Sequence, residues 1–198
     1  MIRIGGWSRL STCDWPGRLV TTLFCQGCPW RCGYCHNPTL LNPRTPAAVT
    51  WPEVRAHLRQ RQKLVDGVVF SGGEPLLQRG LAAAMKDVRE LGFAVGLHTG
   101  GAYPRRFGQL LAESLIDWVG FDIKAHPEEY DTITAAPRSA APALRSLHLL
   151  RSSGLPHQLR TTRDPERFGE HHVEHLASWL HEQNLSSEHT WQDARTPA

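Results

Sequence analysis

The chain has 198 residues, of which 40% are hydrophobic and 21% are charged, a composition typical of one globular domain and not of a disordered chain. Its 22 basic and 19 acidic residues leave a net charge of +3, too small an excess to indicate nucleic acid or an anionic membrane as a partner. No apolar run approaches the roughly 18 residues that cross a bilayer, and the first residues are too polar for a signal peptide, so we expect a cytoplasmic protein.

Short apolar runs predict buried strands, because each is followed by loop residues and is rich in valine, isoleucine or phenylalanine. In chain order these runs are 18–24, 67–70, 93–97, 118–123 and 155–159.

Longer stretches of helical periodicity lie between these runs. Thr50 and Glu53 form a capping-box pattern that opens the first predicted helix, which extends to about residue 64. The other predicted helices cover 76–91, 104–116, 142–150 and about 165–183.

Strands and helices alternate along the chain, which predicts right-handed βαβ units and a parallel sheet. A partial barrel and an open doubly wound sheet both fit this alternation. In either architecture, ligands bind beyond the C-terminal ends of the strands. The tail from Leu185 onward is polar, with Trp191 as its only large aromatic residue, and it contains no run that predicts a further core strand.

All five cysteines lie within the first 35 residues, a distribution unlike that of a secreted disulfide scaffold. The segment Cys28-Pro-Trp-Arg-Cys32-Gly-Tyr-Cys35 follows the first predicted strand. Three thiolates at this spacing can surround one cubane iron–sulfur cluster and leave its fourth iron open to another ligand.

Zinc is the alternative, because Cys25 adds a fourth thiolate. The two Cys-x2-Cys pairs are separated by only three residues, however, whereas zinc ribbons place such pairs much further apart. The spacing therefore favours the iron–sulfur cluster over zinc, and both over free structural cysteines. We predict that Cys13 and Cys25 are not ligands, since free cysteine usually behaves as a small buried hydrophobe.

The three-then-two cysteine spacing, with Tyr34 before the third cysteine, resembles the signature of the radical S-adenosylmethionine (SAM) superfamily. The stretch from Asp14-Trp-Pro-Gly17 through Cys35-His36-Asn37-Pro38 resembles the activating enzymes of glycyl radical enzymes, and most closely the anaerobic ribonucleoside-triphosphate reductase activating proteins. The resemblance extends over about residues 11–162. It implies an α/β fold, a partial (β/α) barrel of the radical SAM type. The barrel would form from a single domain over 1–198, with a core of about 11–183 and a polar tail of about 185–198. Members of the family usually end with a sixth strand, so here either the sheet is shortened or its last strand has an unfamiliar sequence.

The resemblance also implies the chemistry. A [4Fe-4S] cluster on Cys28, Cys32 and Cys35 would bind the amino and carboxylate groups of SAM and pass one electron to its sulfonium. The resulting 5′-deoxyadenosyl radical would take a hydrogen atom from a glycine of a partner. The expected partner is a glycyl radical enzyme, namely an anaerobic ribonucleotide reductase, together with an electron donor such as flavodoxin or ferredoxin.

Further residues are expected at the SAM site from the same resemblance. They are Tyr34, Cys35, His36, Gly72, Gly73, Glu74, Thr99, Asp122, Ile123 and Lys124. The two glycines let the backbone approach a ligand, and the Glu74 carboxylate can accept from an ammonium group, although a plain strand-to-helix turn also explains this segment. Strand alternation places Asp122 and Lys124 on one face, where an ordinary surface ion pair is the alternative. Arg160 ends the fifth predicted strand and is either close to the SAM carboxylate or simply solvated.

His171 and His175 have the i,i+4 spacing of a metal-binding helix face. No third ligand is evident in the sequence, so a solvated helix face is the prediction.

The sequence leaves several functions open. Besides a reductase activase, these are an activase of pyruvate formate-lyase or of another glycyl radical enzyme, a radical SAM enzyme with a small-molecule substrate, and a non-catalytic zinc-binding module.

Overall fold

The strands of the computed structural model, which describes residues 2–164 and 169–194, form one seven-stranded sheet whose spatial order equals the chain order. The first strand is antiparallel to the second, and all the following neighbours are parallel. The strands are β1 (Ile4–Ser11), β2 (Val20–Cys25), β3 (Gly67–Gly72), β4 (Ala94–Thr99), β5 (Trp118–Asp122), β6 (His157–Arg163) and β7 (His189–Asp193). In the described chain β1 and β7 do not pair with each other, so the sheet is an open, partial barrel.

Helices connect the parallel strands. They are α1 (Trp51–Gln60), α2 (Leu81–Glu90), α3 (Pro104–Ala112), α4 (Tyr130–Thr134), α5 (Ala140–Ser153) and α6 (Glu170–Glu182). Among the described residues, no helix is long and apolar enough to span a bilayer.

The predicted strands are present as β2 to β6, and the predicted helices correspond to α1, α2, α3, α5 and α6. The predicted capping box also forms, because Thr50 Oγ1 accepts from the Glu53 amide while Glu53 accepts from the Thr50 amide.

Two helices begin later than the sequence predicts. Residues 75–77 form a 3₁₀ turn instead of the first turn of α2, since the Glu74 side chain accepts a hydrogen bond from the Leu76 amide. The helix predicted over 165–183 begins at Glu170 in the structure, and residues 165–168 lie outside the described residues.

The prediction that the tail provides no strand was wrong for His189–Asp193. This segment forms β7, which pairs in parallel with β6 from Leu159 opposite His189 to Arg163 opposite Asp193. The sheet therefore has its last parallel strand, with a polar sequence. An edge strand packs only one face against the core, so the half-buried His189 and Trp191 suffice on that face, and the other three positions of β7 are exposed and polar.

The two faces of the sheet bury different sets of side chains. On β3, Val68 and Phe70 belong to the main core, whereas Val69 packs with Trp15 and Trp118 in a second, smaller cluster. Because strand residues alternate in direction, this second cluster lies on the face opposite the main core. The Trp15 and Trp118 rings are stacked with centroids 5.4 Å apart and fill that face.

Candidate functional site

A cavity of about 570 Å³ lies at the C-terminal ends of the parallel strands, within the size range of small-ligand sites. Its lining comes from the loop before β2, from the end of β2 and the cysteine loop after it, and from the ends of β3 to β7. The structure thus brings segments that are far apart in sequence to the edge where the strand pattern predicts a ligand.

Cys28, Cys32 and Cys35 are free thiols and all three line this cavity. Cys25 does not, because it lies on β2 with its side chain fully buried in the main core, while the neighbouring Phe24 faces the cavity. Strand alternation explains this difference between adjacent residues. The four-thiolate zinc arrangement that needs Cys25 is therefore not formed.

Cys13 also lines the cavity, at an exposed position where its Sγ lies 3.4 Å from Ser11 Oγ. It is outside the three-cysteine loop. That Cys13 is not a cluster ligand stays a prediction.

Two of the three loop thiols, Cys28 and Cys32, are poorly suited to remain charged without a metal. Burial raises the pKa of Cys28 to about 12. Burial also raises the pKa of Cys32, and the nearby Lys124 charge opposes that rise. Thiolate ligands must be deprotonated to bind, so a metal or cluster would provide the positive charge that this pocket requires. Together with Cys35, which lines the same cavity, these thiols fit a cubane cluster that is held by three protein ligands.

Glu74 is 2% exposed and stands at the centre of a hydrogen-bond network. Its Oε1 accepts from the Leu76 amide at 3.0 Å and from Thr99 Oγ1 at 2.8 Å, and its Oε2 accepts from the Gly100 amide at 3.0 Å. Burial raises the pKa of Glu74 to about 7, against the effect of these hydrogen bonds. No salt bridge joins this carboxylate to a cation of the described chain, and an ammonium group of a ligand fits that position.

Gly72 and Gly73 let β3 meet the start of the cysteine loop. Gly72 has φ +103°, and the Gly73 and Glu74 amides donate to the carbonyls of Cys25 and Gly27 at 3.0 and 2.9 Å. A Cβ on Gly73 would overlap the Gly27 carbonyl oxygen. The glycines therefore allow a close approach to the chain's own backbone, and the expected approach to a ligand stays a prediction.

Asp122 ends β5 and Lys124 follows two residues later, and their side chains lie on the same side, as the alternation predicts. Lys124 Nζ lies 3.2 Å from Asp122 Oδ2, and Arg160 Nε donates to Asp122 Oδ1. Burial would raise the pKa of Asp122, but the two cations outweigh it and hold that pKa below its usual range. Burial would lower the pKa of Lys124, but Asp122 outweighs it in turn. Both groups are thus charged at the cavity wall.

Tyr34 supplies an unsatisfied polar atom to the site. Its hydroxyl is buried without a hydrogen-bond partner in the described chain, and its ring centroid lies 5.9 Å from Lys124 Nζ. A buried hydroxyl without a partner is costly, so a ligand that reaches it would be stabilised. His36 and Thr99 line the cavity too. The Ile123 side chain does not, because it points into the main core at 1% exposure.

His98, which precedes Thr99, has a structural role that the sequence analysis did not predict. His98 Nε2 lies 2.7 Å from the Asp14 carbonyl oxygen, and its Nδ1 lies 3.1 Å from Ser71 Oγ. A carbonyl oxygen can only accept, so Nε2 carries the proton and Nδ1 accepts from the serine hydroxyl. This pair of bonds fixes the loop before β2 to the ends of β3 and β4.

Gln192 and Asp193 are further cavity residues that the sequence did not reveal. They lie on β7, whose polar pattern carried no strand signal. These two residues can be placed at the cavity only once the structure shows that their segment forms a strand beside β6.

The chain is similar to members of a known superfamily over most of its length. The radical SAM superfamily model matches residues 22–174. A protein of Methanocaldococcus jannaschii assigned as a glycyl-radical enzyme activating enzyme is 27% identical over 187 residues, which cover 92% of this chain and 77% of that protein. A pyruvate formate-lyase-activating enzyme of Listeria monocytogenes is 30% identical over 186 residues, covering 83% of this chain and 72% of the relative.

Among solved structures, native anSMEcpe with bound AdoMet has a TM-score of 0.67 at 14% sequence identity. The alignment covers 87% of this chain and 50% of that one, so the chain spans about half the length of this structural neighbour. At this identity the likeness concerns the fold.

Proposed function

Since the chain belongs to the radical SAM superfamily, and within it to the family of glycyl-radical enzyme activating enzymes, we propose that it generates a glycyl radical on a partner enzyme. A protein of this family is an enzyme whose cofactors are a [4Fe-4S] cluster and SAM. The observation that supports the proposal is that three loop thiols, Glu74 and the Asp122–Lys124 pair all line the same cavity.

Each group of cavity residues has its own proposed role. Cys28, Cys32 and Cys35 hold the cluster, and the carboxylate of Glu74 accepts hydrogen bonds from the ammonium group of SAM. When bound, the reduced cluster supplies the one electron that breaks a carbon–sulfur bond of SAM. Lys124, held charged by Asp122, would stabilise negative charge on the thiolates that hold the cluster, since its charge already opposes the rise in the pKa of Cys32.

We propose an anaerobic ribonucleoside-triphosphate reductase as the partner, on the basis of the 14–38 segment described above. Pyruvate formate-lyase is the second candidate, favoured by the 30% identity to the Listeria activating enzyme. Flavodoxin or ferredoxin is the proposed electron donor.

The partner is tested by electron paramagnetic resonance. The cluster-loaded protein, reduced with dithionite and mixed with SAM, is incubated without oxygen with either the reductase or pyruvate formate-lyase. A glycyl-radical doublet on the reductase alone is the expected result. A doublet on the lyase alone would reassign the partner. SAM cleavage with no radical on either protein would contradict both assignments and favour another substrate.

The cluster ligands are tested by substitution. Cys28→Ala removes one of three thiolates, so we expect loss of the cluster and of reductive SAM cleavage, measured by iron content and by release of 5′-deoxyadenosine. Cys13→Ala is the matched control and should keep both. Equal losses in the two variants would show that the ligands are wrongly assigned.

A further inference from the structure

Outside the cavity, histidine and glutamate side chains from two separate elements meet near the start of α6. His171 and His175 lie one turn apart on that helix, and Glu129 immediately precedes α4. One ligating atom from each of these three side chains lies within 4.8 Å of the others. None of the three is among the residues that line the cavity.

The tertiary structure supplies the third ligand that the sequence lacks. The His171 and His175 rings are nearly parallel, 20° apart with centroids 5.7 Å from each other, as expected for neighbours at i,i+4. Glu129 approaches from the segment after β5, and its Oε1 lies 3.2 Å from His175 Nδ1. Two ligand atoms of a tetrahedral zinc ion with bonds of about 2.1 Å are about 3.4 Å apart, so this pair already has the separation that a metal requires.

The second oxygen of Glu129 is a separate indication of a missing ligand. Its Oε2 is buried and has no hydrogen-bond partner in the described chain. A carboxylate oxygen that has lost water without gaining a partner is destabilising, and a bound cation would remove that cost.

A second group of potential ligands shares His175 but is less suitable. It combines His175 with His126 and the exposed Glu128. Both histidine pairs are nearly parallel, but the His126 and His175 centroids are only 3.6 Å apart, against 5.7 Å for His171 and His175, which leaves less room between the rings for an ion. Glu129 is the better carboxylate because it is less exposed than Glu128 and its Oε2 has no hydrogen-bond partner in the described chain.

We propose that Glu129, His171 and His175 bind a divalent transition-metal ion of the zinc type, at a site distinct from the cysteine loop. Two imidazole nitrogens and one carboxylate oxygen form a donor set that suits zinc, with water at the remaining position. The ion would join α6 to the segment after β5. That segment also carries Tyr130, whose hydroxyl accepts a hydrogen bond from the Lys124 amide at 3.1 Å.

Metal analysis of the cluster-loaded protein tests this site, because its loop cysteines are then occupied by the cluster. The protein is equilibrated with zinc chloride and desalted, zinc and iron are counted per chain, and the affinity is measured by competition with a chromophoric chelator. We expect one zinc per chain, and an affinity at least tenfold weaker in His171→Ala, His175→Ala and Glu129→Gln. The control is His181→Ala, which changes an exposed histidine of the same helix and should bind zinc normally.

Each result bears on the proposal. His171 is exposed, so its variant remains informative if His175→Ala fails to fold, and unchanged iron content shows that a variant is intact. No bound zinc in the unaltered protein would overturn the proposal. Zinc retained with unchanged affinity by His171→Ala would do so as well, since the ion would then be bound by other residues.

Discussion

The chemistry of the cavity depends on individual side chains, and Glu74 illustrates how one carboxylate is prepared for a ligand. Three hydrogen-bond donors hold it, from Leu76, Thr99 and Gly100, yet burial still raises its pKa to about 7. The ionised Glu74 carboxylate is therefore destabilised until a cation binds beside it. A residue held in this way is positioned before binding, so little ordering remains to oppose the ligand.

Glu74→Gln removes the charge and keeps the shape of the side chain. We expect SAM binding to the cluster-loaded protein to weaken by about 10- to 100-fold, because truncating one partner of a buried charge pair costs roughly 2–5 kcal/mol and the amide retains part of the interaction. Equilibrium dialysis with SAM measures the change, and the exposed Glu90→Gln is the control. Unchanged affinity would mean that Glu74 does not contact the ammonium group.

His98 makes stability depend on pH. Burial and the neighbouring Arg160 lower the pKa of His98 to about 3, from an ordinary value near 6.5. Between these values the unfolded chain binds a proton that the folded chain does not, so stability is present above about pH 6.5 and is lost as the pH falls toward 3. Linkage limits the slope to about 1.4 kcal/mol per pH unit for this one group.

His98→Gln should reduce this dependence. Urea unfolding of the chain with its cysteines reduced measures the free energy of unfolding at pH 7 and at pH 5. We expect this free energy to fall less between the two pH values in the variant than in the unaltered chain. His148→Gln changes a histidine on the surface of α5 and serves as the control. An identical pH dependence in His98→Gln and the unaltered chain would show that His98 is not the group responsible.

At the scale of elements, the last strand shows how little sequence signal an edge strand needs. Only one face of β7 meets the core, and Trp191 is its largest contact with it. The ring of Trp191 also lies 5.8 Å from the Arg163 guanidinium of β6. Apart from the half-buried His189, the remaining residues are exposed and polar, and two of them, Gln192 and Asp193, border the cavity.

Trp191→Ala should loosen β7 without removing a group from the cavity. A fully buried tryptophan costs roughly 3–5 kcal/mol when truncated, so for this half-buried side chain we expect about 2 kcal/mol and a melting temperature lower by roughly 4–8 °C. Circular dichroism on heating measures it. Thr190→Ala, at an exposed position of the same strand, should stay within about 0.5 kcal/mol of the unaltered protein. Equal melting of both variants would mean that Trp191 contributes no packing.

At the scale of the whole molecule, one face of the open sheet is not covered by helices, so other side chains must pack against it. Trp15 is 5% exposed and Trp118 is 6% exposed, and the two stacked rings pack with Val20 and Val69 on that face. Trp15 comes from the loop before β2, so a connection rather than a helix closes this face. The adjacent Asp14 carbonyl then holds His98 beside the cavity.

Trp15→Ala should therefore be among the most destabilising substitutions. It removes a ring that is 5% exposed and stacked on Trp118, and we expect a loss of about 3–5 kcal/mol in the free energy of unfolding. Denaturant unfolding of the reduced chain measures this loss. Trp7→Ala, at a half-buried position of β1, should cost clearly less. A smaller effect at Trp15 than at Trp7 would contradict the proposed role of the stacked pair.

The sequence by itself determined the features that depend on neighbours in the chain. Cysteine spacing predicted a loop of three ligands, period-two alternation predicted that Asp122 and Lys124 share a face, and helical periodicity predicted the connecting helices. The rule that ligands bind at strand ends placed Glu74 beside these residues. Each of these patterns is local, and the physics that produces it acts within a few residues.

Only the tertiary structure decided the rest. β7 depends on pairing with β6 more than on its own hydrophobicity. The position of Cys25 in the main core, away from the cavity that the other loop thiols line, disfavours the zinc arrangement that its spacing permits. The third residue beside His171 and His175 comes from a segment more than 40 residues earlier in the chain. Contacts of this kind arise when separate elements pack together, so no pattern within one element can reveal them.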